Sequence, residues 1–140
     1  MEGAYIALVG GTRAERQRTV GRVICPFNEN AFQFWVASLI GERRKYTQNN
    51  LRKAFDRGSA EHYALLYMDG LDALLACRHI DEDSEHAEDK PTPSIVEYFF
   101  YRMRAHPYLT VLGLGNPAHV DAIRRYEPTL IITHEGAGQD

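Results

Sequence analysis

Two glycine turns in this chain have the residue types that could hold a phosphate. The first, Gly10-Gly11-Thr12-Arg13-Ala14-Glu15-Arg16, follows the apolar run from Ala4. The second, Gly113-Leu114-Gly115-Asn116-Pro117-Ala118-His119, follows another. A phosphate cradle needs glycines so that backbone amides at a helix start can approach the ligand closely. The first turn lacks the G-x-x-x-x-G-K-[ST] of a nucleotide loop and is read as a tight turn. The second supplies half of a G-x-G-x-x-G pattern, with Ala118 at the last position. Too little chain follows it to build a dinucleotide site. It is read as a strand exit relaxed by Gly115, a cap at Asn116, and Pro117 in a first helical turn where its missing N–H costs nothing.

Other chemistry lies elsewhere in the chain. His79, Asp81 and His86 have spacing that could ligate a metal, but they border an acidic run and are read as solvated side chains, so no metal is expected. Cys77 near His79 could act as a nucleophile; inside an apolar run it reads as a buried, inert thiol. Tyr98, Phe99, Phe100 and Tyr101 form four consecutive aromatics. On a helix these cover most of the circumference, so part is core, and Tyr98, Phe100 and Tyr101 are assigned to a partner surface. Arg13, Arg16, Arg18 and Arg22 could touch phosphates. They lack interleaved aromatics in a chain of net charge −3, so nucleic acid is not the expected partner.

The elements that must position these residues fit one domain of 140 residues, long enough for a core without staples. Cys25 and Cys77 have no CxxC partner, which points to a reducing compartment. No apolar run is long enough to span a membrane and the start does not read as a signal peptide, so a cytoplasmic protein with no membrane partner is expected.

The expected elements run as follows. A strand from Ala4 ends at the glycine turn, and TRAERQR is a loop. TVGRVICPF is a second strand. A helix capped by Asn28 follows, with Phe32, Trp35, Val36, Leu39 and Ile40 on its inner face and Trp35 in the core. A shorter helix follows Thr47. Asp69-Gly70 turns a hairpin with strands near 62–68 and 71–79. Residues 81–93 form a mobile acidic loop. A helix starts at the Ser94 cap with Glu97 at the capping-box position. Tyr108–Leu114 is a strand, Asn116–Tyr126 a helix and Thr129–His134 a strand. This order predicts an α/β fold: a mixed, twisted central sheet with helices on both faces.

The same order resembles the GCN5-related N-acetyltransferases over most of the chain. In that likeness the hairpin at Asp69-Gly70 matches the family's second and third strands, and the segment through Asn116 its fifth strand and following helix. Gly115, Asn116 and His119 also resemble the helix start in acetyltransferase-like proteins of short-tailed bacteriophages. The resemblance implies acetyl-CoA as cofactor, yet two departures stand out. The segment before Ser94, HAEDKPTP, has no glycine, and two prolines remove donors that a pyrophosphate needs. The family's catalytic tyrosine position is Ile123, with Tyr126 one turn later.

The expectation is therefore a non-catalytic interaction protein, a phage virion-assembly or host-directed factor, with no cofactor and with a protein partner or a second copy bound. The virion or host cytoplasm would then be its place. The alternative is an active N-acyltransferase with an atypical loop. Tyr126, Glu29 or Glu61 would serve catalysis, and Lys90, Ser94 and Asn116 would hold acetyl-CoA.

Overall fold

The structure, a computed structural model, describes residues 4–24, 31–60, 65–77, 94–107 and 109–134. Five strands are present: β1 (Tyr5–Val9), β2 (Ala31–Trp35), β3 (Leu65–Asp69), β4 (Leu109–Leu114) and β5 (Leu130–Thr133). They form one sheet in the order β2-β3-β4-β1-β5, and every described pairing is parallel. The helices are α1 (Arg13–Thr19), α2 (Arg44–Ala60), α3 (Asp72–Leu75), α4 (Ile95–Ala105) and α5 (Val120–Arg124). A π-helical turn, Val20–Ile24, extends α1. A 3-10 turn, Val36–Leu39, follows β2, and another, Pro117–His119, leads into α5.

The step from β1 to β2 runs one way along the sheet, past β4 and β3. The later steps all run the other way. Right-handed crossovers then place α1 on one face and α2, α3, α4 and α5 on the opposite face. The packing follows that rule. On the α1 face, Val20 lies against Leu8, Leu65, Tyr67 and Val111. On the other, Leu51, Phe55, Leu74, Phe99, Met103 and Ile123 close over Ala7, Met68 and Leu112. The α/β class with helices on both faces is thus as the sequence indicates. Central strands covered on both faces lose the apolar–polar alternation, and β3 is buried along its whole length.

Several local expectations give way. No hairpin forms at Asp69-Gly70. Asp69 ends β3, Gly70 adopts φ +78°, and α3 begins two residues later. The amides of Gly70 and Leu71 both donate to the Gly113 carbonyl at 3.0 Å, which turns the chain into the helix rather than back along the strand. Two apolar runs around Asp-Gly suit a strand followed by a helix as well as they suit two strands, because full burial erases the period that separates them. The acetyltransferase likeness loses its central hairpin.

The helix expected over Phe32–Ile40 is β2 and a 3-10 turn. Phe32 and Phe34 lie on the same side, their rings 5.3 Å apart, in the two-residue period of a strand. Pairing along β3 from Ala31↔Leu65 to Trp35↔Asp69 holds this conformation against the helical spacing of the apolar residues. Trp35 is half-buried rather than in the core, with the Arg13 guanidinium 4.3 Å from its ring centroid. TRAERQR is helical, not a loop, and Val20–Ile24 is a π-helical turn, not a strand. Thr47 does not cap a helix: α2 begins at Arg44, and the buried Thr47 hydroxyl accepts the Gly41 amide at 2.9 Å. The Ser94 cap, β4, the Asn116 cap and β5 lie where the sequence placed them.

Candidate functional site

Open parallel sheets bind ligands beyond the carboxyl ends of their strands, at the point where successive crossovers diverge. Here that point lies between β1 and β4, and both glycine turns meet there. The residue that fills it is Arg16, whose side chain is fully buried. Its Nε donates to Asp69 Oδ1 at 2.8 Å and one terminal nitrogen to Asp69 Oδ2 at 3.1 Å. The other terminal nitrogen donates to the carbonyls of Gly10, at 3.1 Å, and Gly11, at 2.8 Å. The Tyr67 hydroxyl donates to Asp69 Oδ1 at 2.8 Å, and burial together with the Asp69 charge raises that phenol far above its ordinary range. Arg13 adds a longer ion pair to Asp69, at 3.5 Å.

Local sequence explains how this guanidinium is aimed. Thr12 and Glu15 form a reciprocal capping box at the start of α1. The Thr12 amide holds the Glu15 carboxyl below its ordinary range, with the Thr12 hydroxyl contributing. Gly10 and Gly11 take φ of +81° and +69°, values that strain residues with a Cβ, and so direct two carbonyls at Arg16. Asp69 and Gly113 are direct register partners. A Cβ on Gly113 would stand 1.8 Å from Asp69 Oδ1, so the missing side chain is the space that the carboxylate occupies.

A phosphate needs amide donors pointing into this crevice, and the turn presents carbonyls already bonded to a cation. The amides of Gly10, Thr12 and Glu15 are bonded to Leu114, Glu15 and Thr12 within the chain. In the first glycine turn, the Gly10 and Gly11 carbonyls are thus taken up by the protein's own Arg16.

A second polar cluster lies at the exit of β4. Asp72 Oδ2 accepts the Gly115 amide at 2.7 Å, while Oδ1 accepts the Asn116 amide at 3.0 Å and lies 2.7 Å from His119 Nδ1. Asn116 caps the next turn by accepting the Ala118 amide. Neither Asp72 nor the Arg16–Asp69 pair is singled out by the sequence analysis. The Thr12-x-x-Glu15 capping box was a signal for α1; the distant pairings carry none.

The other candidate residues separate. Ser94 and Tyr126 line one cavity of about 570 Å³ together with Cys77 and His119. The Ser94 hydroxyl is engaged as a cap, accepting the Glu97 amide. Asn116 is not among that cavity's lining residues. The aromatic run divides by helical phase. Phe100 is buried at 1% exposure, its ring stacked on Tyr126 with centroids 4.0 Å apart, so it is core and not a partner contact. Tyr98 is half-buried against the same core, and Tyr101 is 69% exposed. Cys77 is buried. Glu29, Glu61, Lys90, His79, Asp81 and His86, with the acidic run 81–93, lie outside the described residues.

No protein-family model matches this chain, and no curated protein matches it. Among the described residues, no helix is long and apolar enough to cross a membrane.

Proposed function

We propose that this chain is a non-catalytic interaction protein on a parallel α/β scaffold. The observation that carries the reading is the buried Arg16 guanidinium at the divergence point of the sheet, bonded to Asp69 and to the Gly10 and Gly11 carbonyls. An enzyme of this architecture keeps that crevice for substrate or cofactor. Here it is packed with side chain, and expelling Arg16 would leave Asp69 buried without its main counter-charge. The alternative of an N-acyltransferase draws its support from the order of elements, and that order lacks the Asp69-Gly70 hairpin.

Calorimetric titration with ATP and with acetyl-CoA tests the reading. The expected result is no saturable heat from either at sub-millimolar concentration. A micromolar isotherm with either compound would overturn it.

A further inference from the structure

The partner surface can be narrowed, on the premise that the chain acts by binding another protein. Two cavities, of about 570 and 670 Å³, adjoin along α4 and the turn after α5, and they share Arg104, Arg125 and Tyr126. Tyr126 is held rigidly. Phe100 stacks on its ring with an interplanar angle of 3°, and its carbonyl accepts from the Tyr5 hydroxyl at 2.9 Å and from Arg104 at 3.1 Å. Both guanidiniums lie near that ring, Arg125 at 5.2 Å and Arg104 at 5.8 Å from its centroid. Nearby Arg102 and Arg124 have carboxylate partners, Asp56 and Asp121. Arg104 and Arg125 have none among the described residues.

Tyr101 stands at the rim of the larger cavity, one of the few large apolar side chains left in solvent among the described residues. Glu97 and Glu127 border the cavities on either side. The lining thus offers two unneutralised guanidiniums at its centre, an aromatic shelf beside them and carboxylates outside.

We infer that this groove binds a segment of a partner protein that brings a carboxylate next to an aromatic or large apolar side chain. The carboxylate would take charge-assisted hydrogen bonds from Arg104 and Arg125. The apolar neighbour would lie on Tyr101, as aromatic and arginine anchors do at protein interfaces. The flanking Glu97 and Glu127 repel an extended polyanion, so charge complementarity selects a short acidic peptide over a nucleic acid strand.

The test is fluorescence anisotropy of the full chain with three labelled probes: a Glu/Phe peptide, its Lys/Phe counterpart and a single-stranded oligodeoxythymidine. The Glu/Phe peptide is expected to bind saturably and the other two much more weakly. Arg125→Glu, on an exposed side chain, should weaken it by about tenfold or more, and Tyr101→Ser should also weaken it. Unchanged thermal unfolding of both variants would show that the fold is intact. Absence of Glu/Phe binding, equal binding of the Lys/Phe peptide, preference for the oligonucleotide, or indifference to Arg125→Glu in a folded variant would each overturn the inference. A cofactor isotherm defeats the interaction reading itself; loss of peptide binding without one defeats only this surface.

Discussion

Arg16 Nε and Asp69 Oδ1 lie 2.8 Å apart in the interior, joining residues 53 positions apart in sequence. The pair ties the α1 face of the sheet to the end of β3. It closes because Gly113 leaves room for the carboxylate and the Gly10 and Gly11 carbonyls accept from the guanidinium. Removing one member strands the other charge in a buried site. Arg16→Met is therefore expected to cost about 3–5 kcal/mol. Gly113→Ala, which drives a methyl onto the carboxylate, should also destabilise strongly. Urea denaturation of both variants checks this; a midpoint near wild type for Gly113→Ala would show that the carboxylate does not need that space.

Asp72 binds β4's exit to α3 through two backbone amides and His119. Because the carboxylate is only partly buried, Asp72→Ala is expected to cost about 1–3 kcal/mol, with Asp72→Asn in between. The local consequence can be read separately. Amide hydrogen exchange at Gly115 and Asn116 should quicken in Asp72→Ala while exchange in β1 stays slow.

The two aromatic positions Phe99 and Trp35 should differ sharply. Phe99 is fully buried, packed edge-on against Phe100 and tilted against Phe55. Its replacement by Ala should cost about 3–5 kcal/mol. Trp35 is half-buried, and its contact with Arg13 is worth about 0.5–1 kcal/mol at such a site. Trp35→Ala should therefore be clearly the milder of the two in thermal or urea unfolding. Equal losses would place Trp35 in the core after all.

His106 gives the fold a pH dependence. It caps α4 and is buried beside Phe55, with its Nδ1 3.1 Å from the Ser59 hydroxyl. Burial lowers its pKa below the ordinary histidine value. The unfolded chain then binds the proton first, so this contribution is complete above about pH 6.5, begins to be lost below that value and is fully lost only once pH has fallen through the lowered folded-state pKa. Urea midpoints at neutral and mildly acidic pH should fall with acidity, and the slope should flatten in His106→Gln. A slope unchanged by that substitution would assign the effect to other groups.

Local chemistry was legible in the sequence wherever a few adjacent residues decide the outcome. Ser94 begins α4 and Asn116 begins the turn into α5, because each side chain satisfies an amide two or three residues ahead. The strands before the two glycine turns read correctly for the same reason: a compact apolar run ends where glycine permits a sharp exit. The class of the fold followed from the mixture of such elements. The glycine turns were legible as turns, though not the arginine that the first one holds.

Tertiary pairing decided the rest. Phe32–Leu39 satisfies a helical spacing, yet the backbone is extended through Trp35 because β3 offers it a ladder of parallel hydrogen bonds, and only Val36–Leu39 coils, as a 3-10 turn. The run after Gly70 has no period that separates a strand from a helix, and the Gly113 carbonyl settles it by accepting two amides. Arg16, Asp69 and Gly113 acquire a shared role only when β3 and β4 lie in register and α1 crosses the opposite face from the other helices. Phe100 and Tyr101, neighbours in sequence, part between core and solvent because a helix turns about 100° per residue and only one side of α4 meets the sheet. Short-range preferences are weak and can be outvoted by pairing and burial, which depend on residues far apart along the chain.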